Sequence, residues 1–296
     1  MKSVLVVGST GQLGRAIVAG LREAGLGVRA LVRPGRDNEL TQGFASSGVE
    51  IVRGDLKVPA SLEMACRGVD VVVSTATTTS SQSEADSIET VDRIGNLSLV
   101  DAAETAKVSQ FVFVSFADIA GDFALKRAKA SVEARLRSSD TLAHTILKPA
   151  YFMESWLPGL GPQAAPGPCY VFGTGRSPVS WIALGDVARC AVSVARNPTV
   201  RNSSIDLGGP EALSQLDVFE LFQGLGAPKA DVFPIAEGML QDELKDNASN
   251  PLAEAFAALK LGIARGLTVH TTPTPELSLP RMSTVREFVV KTLEAR

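Results

Sequence analysis

The apolar run Val4-Leu5-Val6-Val7 passes directly into GSTGQLG at residues 8 to 14 and on into the amphipathic stretch QLGRAIVAGLREAG. A strand, a Gly-rich turn and a helix in immediate succession at the start of a chain are how a Rossmann-type α/β domain begins. Gly8, Gly11 and Gly14 have the spacing GxxGxxG. They permit a tight turn, remove Cβ atoms where an anion must approach, and leave a helix N-terminus aimed at that anion. A Gly-rich turn alone signals only a strand-to-helix junction. Its place on the first strand of a βαβ series makes a pyrophosphate dinucleotide the predicted ligand, contacted by Gly8, Ser9, Thr10, Gly11, Gln12, Leu13 and Gly14.

That series continues to about residue 150. Short β-branched runs predict strands at Ser3 to Val7, Gly27 to Val32, Glu50 to Arg53, Val69 to Thr75, Gln110 to Ser115 and Thr145 to Leu147. Helical patterns fall near 12 to 24, 37 to 47, 59 to 66, 85 to 106 and 123 to 138. Several strands are apolar at nearly every position, as expected where helices cover both faces of a parallel sheet. The predicted fold is therefore α/β, a doubly wound parallel sheet over residues 1 to 150. A smaller α+β substrate lobe spans 151 to 296, partly interleaved with the first. In that lobe PGLGPQAAPGP at 158 to 168 predicts a loop, and 271 to 280 an extended connection. Asp186 to Ala195 is expected to be helical and Ser204 to Leu207 extended. Ser214 caps a helix to Gly224, and Thr284 with Glu287 forms a capping box for a last helix.

Composition narrows the functional classes. The chain has 296 residues, 45% hydrophobic and 21% charged, with a net charge of −3 and mixed signs along its length. This gives no electrostatic case for nucleic acid or an anionic membrane. The longest apolar runs are strand-sized, well short of the roughly 20 residues needed to cross a bilayer, and no signal-peptide pattern opens the chain. A cytoplasmic location is expected. Cys66, Cys169 and Cys190 lack a CxxC pair, and His144 and His270 stand outside any ligand cluster, so neither disulfides nor a metal is expected. A Ser-His-Asp hydrolase would need a GxSxG elbow, which is missing.

The second strand ends in LVRPGR. An acidic residue there would meet a ribose 2′-hydroxyl, whereas Arg33 and Arg36 match a 2′-phosphate in charge and donor geometry. NADP(H) is thus preferred over NAD(H), which remains open; solvated surface arginines are the competing reading. Asp55 and Leu56 follow the third strand and Thr75, Ala76 and Thr77 the fourth. Strand C-termini line the ligand crevice of an open α/β sheet, so these residues are candidates for the adenosine and pyrophosphate, or for turns and caps.

Taken together, GSTGQLG, ALVRPGR, GDL, VDRIGNLSLVDAAETAKV, FVFVS, KASVEARLRSSD and TILKPAYFMES resemble the NmrA-like group of atypical short-chain dehydrogenase/reductases, related to isoflavone reductase-like enzymes. The resemblance covers residues 1 to about 210 and fades in the C-terminal lobe. It implies NAD(P)(H) binding, a substrate cleft between the lobes, and either reduction or redox sensing. Ordinary members of the superfamily place a tyrosine four residues before a lysine, whose charge lowers the phenol pKa. Here KASVEARL puts Lys129 at the lysine position and Leu125 at the tyrosine position. The resemblance to the isoflavone reductase-like branch implies that Lys129 serves as acid/base without a tyrosine; Ser115 at the end of the fifth strand, or water, is the candidate to aid it, with a backbone-satisfying strand-end role as the other reading of Ser115. Lys129 as a ribose-binding group, or as a solvated surface lysine, is the alternative.

Pro149, Ala150, Tyr151 and Phe152 follow the sixth strand, where the nicotinamide is expected. Tyr151, Phe152, Trp156, Phe172 and Trp181 are candidates for an aromatic pocket holding a planar acceptor, or for packing between lobes. Two functions compete. One is an NADPH-dependent oxidoreductase acting on a small apolar or aromatic quinone, enone or carbonyl compound. The other is a non-catalytic NAD(P)-binding sensor that reports to a protein partner, motivated by Leu125. Substrate identity, hydride direction and oligomeric state are not specified by the sequence.

Overall fold

The first strand is apolar throughout its centre because both of its faces are covered. In the computed structural model, which describes residues 2–36, 38–81, 83–161, 168–271 and 281–295, Val4 and Val6 pack with Ile17, Val18 and Leu21 on one side of the sheet. Leu5 and Val7 pack with Leu62, Leu99 and Val100 on the other. The chain runs β1 (Ser3–Val7), α1 (Gln12–Glu23), β2 (Gly27–Val32), α2 (Glu39–Ser46), β3 (Glu50–Arg53), α3 (Pro59–Cys66) and β4 (Val71–Ser74). A π-helical segment, Ile88–Gly95, continues into α4 (Asn96–Thr105), followed by β5 (Gln110–Val114), α5 (Ala124–Arg137) and β6 (Ala143–Pro149). Then come α6 (Met153–Trp156), β7 (Cys169–Phe172), α7 (Leu184–Arg196), β8 (Ser203–Leu207), α8 (Gln215–Gly224), β9 (Val232–Ile235), α9 (Glu237–Asp246), α10 (Pro251–Arg265) and α11 (Val285–Glu294).

The main sheet has the order β3-β2-β1-β4-β5-β6-β8, and every pairing in it is parallel. This is the doubly wound Rossmann arrangement. The strand order reverses between β1 and β4, and that switch point opens a crevice at the strand C-termini. The chain returns to this sheet after residue 151, because β8 pairs with β6 and Ala188, Ala191 and Val194 of α7 pack in the same cluster as Ile17 of α1. The remaining C-terminal elements form a second core, with Trp181, Phe222, Val218, Ile263 and Val289 buried together. Beside it β7 and β9 make a two-stranded parallel sheet.

Ser214 caps α8 and Thr284 pairs with Glu287 in a capping box, so both termini lie where the local sequence puts them. The helix expected over 85 to 106 begins instead with the π-helical turn. There the Asn96 side chain donates to the carbonyls of Val91 and Asp92, and a Cβ on Gly95 would stand 2.8 Å from Leu56 Cβ. The sequence reading predicts no element between 225 and 270, yet α9 and α10 lie there. α10 (PLAEAFAALKLGIAR) is Ala-rich and buried at Ala255, Ala257, Ala258, Leu261 and Ile263, which blurs the one-sided apolar stripe that betrays a surface helix. Residues 162 to 167 of the expected loop and 272 to 280 of the expected connection lie outside the described residues. The three cysteines are free and buried, and burial pushes the Cys66 and Cys190 thiols up to about 12. Among the described residues no helix is long and apolar enough to cross a membrane.

Candidate active site

A cavity of about 960 Å³ runs along the switch-point crevice, from the turn after β2, past the Gly-rich loop, to the side of α5 and α10. Gly8, Thr10, Gly11, Gln12, Leu13 and Gly14 line its middle. Gly8 has φ +79, and a Cβ there would lie 2.6 Å from Thr75 Oγ1. A Cβ on Gly14 would lie 2.1 Å from the Gly8 carbonyl oxygen, so the first and third glycines are required by the packing of the turn itself. Gly11 differs, since its Cβ would meet only Gly8 O, at 3.3 Å. It is the N-cap of α1, has no side-chain cap, and is followed by a first turn without acidic residues. The result is a helix N-terminus open to the cavity and suited to an anion. Ser9 lies outside the lining: it is fully buried and its hydroxyl donates to the Leu31 carbonyl at 2.8 Å, tying the loop to β2.

At the outer end, Arg33-Pro34-Gly35-Arg36 forms a turn closed by Arg36 N donating to Arg33 O at 3.3 Å, with Gly35 at φ +75. Proline and a positive-φ glycine at its centre are what such a turn requires, and it brings both arginines to the cavity rim. Arg33 is not a freely solvated arginine, because its guanidinium pairs with Asp86 at 2.7 Å. Asp55 lines the cavity and also accepts from Lys57 N at 2.9 Å, combining rim and turn roles. Leu56, Thr75, Ala76 and Thr77 line the same wall, with Thr75 Oγ1 donating to Val7 O at 3.2 Å.

The inner end is built around Lys129, which lines the cavity yet is only 6% exposed, so it is not a solvated lysine. Its ammonium donates to Val114 O at 3.2 Å and lies 5.1 Å from the Phe113 ring centroid. The carboxylate of Asp92 is 3.9 Å away, beyond hydrogen-bond range. Asp92 is fully buried; Oδ2 accepts from Thr78 N and Oγ1 at 3.0 and 2.6 Å, while Oδ1 has no hydrogen-bond partner. Burial pushes the Lys129 ammonium below its ordinary value, against the pull of Asp92 and Glu133. Ser115 lines the cavity beside it, but its hydroxyl donates to Glu133 Oε1 at 2.6 Å.

Leu125, one turn before Lys129 on α5, lines this end and has no proton to donate. Tyr151 does not replace it: its hydroxyl donates to Leu259 O at 3.0 Å, and burial raises its pKa. Tyr151, Phe152 and Trp156 line an apolar wall together with Phe116, Ile119 and Phe256. Phe172 and Trp181 do not line it. Phe172 packs edge-on behind Trp156, and Trp181 is fixed in the second core by Nε1 donating to Leu213 O at 2.8 Å. Pro149 and Ala150 complete the wall, with Pro149 O accepting from Ala117 N and Ala150 N donating to Leu207 O. Those two backbone groups are therefore already engaged.

Comparison with known proteins decides the family. The sequence model described as the NmrA-like family matches residues 1–259. The chain belongs to the NmrA-like family. Among relatives of this NmrA-like protein is the NAD(P)H azoreductase of Xenophilus azovorans, 31% identical over 216 residues, covering 73% of this chain and 71% of the relative. Another is the photosystem II assembly factor Ycf39 of Trieres chinensis, 27% identical over 232 residues, covering 78% and 71%. Among solved structures, the NADPH-dependent quinone oxidoreductase QOR2 of Escherichia coli, complexed with NADPH, superposes with a TM-score of 0.78 at 19% identity, over 98% of this chain and 99% of that one. The fold of the NmrA-like chain is thus shared across its whole length.

Several residues around the NmrA-like cavity carry no sequence signal that singles them out. Asp92 and Glu133 read as polar positions on amphipathic helices, and only the π-helical turn and α5 packing turn them inward. Asp86 sits in a polar segment with no periodicity. Phe256 and Lys260 come from α10, more than 100 residues beyond Lys129 in the chain, so no local pattern links them.

Proposed function

We propose that this chain is an NADPH-dependent reductase that delivers a hydride to a small apolar or aromatic acceptor of the quinone, azo, enone or carbonyl class. The observation that carries the reading is a single cavity joining three features: paired arginines at the rim, a glycine-lined helix N-terminus, and a buried lysine against an apolar wall. The open face of Gly11 and the uncapped α1 fit a pyrophosphate, and Arg33 with Arg36 fit a 2′-phosphate. Thr75, Ala76 and Thr77 would hold the adjoining ribose and pyrophosphate, and Pro149 to Phe152 would flank the nicotinamide. When bound, the reduced nicotinamide supplies the hydride.

The remaining work falls to the chain's own side chains. Tyr151, Phe152, Trp156 and Phe116 exclude water and orient a planar acceptor by contact with its faces and edges. Lys129 Nζ gives a proton to the oxygen or nitrogen that gains charge as the acceptor is reduced. Burial makes that release easier by lowering its pKa. Ser115, by donating to Glu133, fixes that carboxylate one helical turn from Lys129 and acts as a positioning residue. The relative named as an NAD(P)H azoreductase and the fold neighbour named as an NADPH-dependent quinone oxidoreductase support the reading.

A second reading, a non-catalytic NAD(P)-binding regulatory protein, is favoured by Leu125 one helical turn before Lys129 and by the relative named as an assembly factor. NADPH oxidation measured against a panel of quinones, azo dyes, enones and carbonyls, with wild type beside Lys129→Ala, separates the two. Turnover that falls in the variant supports the reductase. Tight NADPH binding with no turnover across the panel supports the regulator. Arg33→Ala is expected to raise the Kd for NADPH about tenfold or more with little change for NADH. Equal effects on the two dinucleotides would remove the 2′-phosphate assignment.

A further inference from the structure

Arg33 reaches the cavity rim from the turn after β2, Lys57 stands behind it on the turn after β3, and one carboxylate, that of Asp86, holds both. Asp86 Oδ2 accepts from Arg33 Nη1 at 2.7 Å and from Ser81 Oγ at 2.6 Å, while Oδ1 accepts from Lys57 Nζ at 2.6 Å. The Asp86 side chain is only 6% exposed although it lines the cavity, and the Asp55 carboxylate stands 4.0 Å from the same lysine. Burial works to raise the Asp86 carboxyl, but the hydrogen bonds from Lys57 and Ser81 and the charge of Arg33 hold it below its usual range. The group is therefore a carboxylate at neutral pH. Two cations and a hydroxyl converging on one anion form a donor set that serves a phosphomonoester equally well.

We propose that Asp86 is a specificity-determining residue: its carboxylate pairs with both Arg33 and Lys57, so that a ligand's 2′-phosphate competes with it for these cations. This rests on reading the cavity as a dinucleotide site. The physical consequence is a narrowed preference. The gain from pairing a phosphate with two bases is reduced by the cost of separating them from Asp86, and the freed carboxylate repels the incoming phosphate. A ribose without the phosphate leaves the Asp86 cluster intact and bears neither cost. Asp86 thus opposes the selectivity that Arg33 supplies, drawing the affinities for NADPH and NADH closer together.

Full-length wild type, Asp86→Asn and Glu89→Gln are titrated with NADPH and NADH, and with adenosine 2′,5′-bisphosphate and AMP, by calorimetry. Asp86→Asn is expected to bind NADPH and the bisphosphate about tenfold more tightly, with NADH and AMP within about twofold of wild type. Glu89→Gln removes a carboxylate from an exposed pair with Arg93 and touches neither Arg33 nor Lys57, so its NADPH/NADH ratio should stay within about twofold of wild type. An unchanged or reduced ratio in Asp86→Asn overturns the proposal, as does a Glu89→Gln ratio that moves as far as that of Asp86→Asn. Wild type that binds neither dinucleotide overturns the reading of the cavity and the proposal with it. Wild type that binds NADPH while Asp86→Asn leaves the ratio unmoved overturns the proposal alone.

Discussion

Lys129 holds its ammonium 3.2 Å from the Val114 carbonyl in a site that disfavours charge, with Asp92 at 3.9 Å offering only partial compensation. A group so placed releases a proton readily and is the cavity's best candidate for a general acid. Replacing it by alanine is expected to lower NADPH oxidation by about 10²- to 10⁴-fold while leaving the NADPH Kd within a few fold. Steady-state kinetics beside calorimetry checks both halves. The pH dependence has a definite sign. Burial depresses the lysine pKa, so the protonated acid is lost earlier on the alkaline side than for an ordinary lysine, and kcat/KM should fall as pH rises through that lowered value. The limb should be missing from the residual activity of Lys129→Ala. Asp92 makes a complementary case. Asp92→Ala would leave the Lys129 ammonium buried without its nearest carboxylate and strip Thr78 of its acceptor, a loss of about 3 kcal/mol in denaturant unfolding.

At the scale of an element, the β1 turn and α1 divide their three glycines between two tasks. Gly14 lies where a Cβ would meet Gly8 O at 2.1 Å and Ser9 Cα at 2.9 Å, both backbone atoms unable to move alone. Gly14→Ala should therefore cost about 1–3 kcal/mol of stability, read as a lowered unfolding midpoint. Gly11→Ala places its methyl toward the cavity with one contact at 3.3 Å, so the midpoint should hardly move while NADPH affinity falls. A sequence motif treats the two positions as equivalent; the packing around them does not. The same contrast holds along the helix that follows β4. Its amphipathic pattern is legible, but the π-helical turn that points Asp92 inward depends on Asn96 side-chain bonds and on Leu56 from another element.

Across the whole molecule, the cavity is bounded by both cores. The strand ends supply the Gly-rich loop and Arg33, α5 supplies Lys129, and α6 and α10 supply Trp156, Phe256 and Leu259. A ligand spanning it links the sheet to the C-terminal elements, so its binding should stabilise the entire chain. NADPH at a hundredfold excess over its Kd contributes about 2.7 kcal/mol, expected as a rise of several degrees in Tm. Adenosine 2′,5′-bisphosphate, which reaches only the rim and the phosphate loop, should protect the sheet amides from hydrogen exchange without protecting α10. NADPH should protect both.

The parallel sheet, the positions of its strands through β6, the Gly-rich turn and the two arginines beyond β2 were legible in the sequence. Each is governed by local physics: periodicity, turn chemistry and the conformational freedom of glycine over a few residues. What the tertiary structure alone decided is which charges meet. Arg33 is engaged by Asp86 from 53 positions away. Lys129 is buried beside Asp92, Ser115 is turned to Glu133, and the Tyr151 hydroxyl is turned to Leu259. Phe172 and Trp181, aromatic like the residues that line the wall, stand behind it because β7 and the second core pull them there. Such contacts depend on long-range packing, which leaves no pattern along the chain.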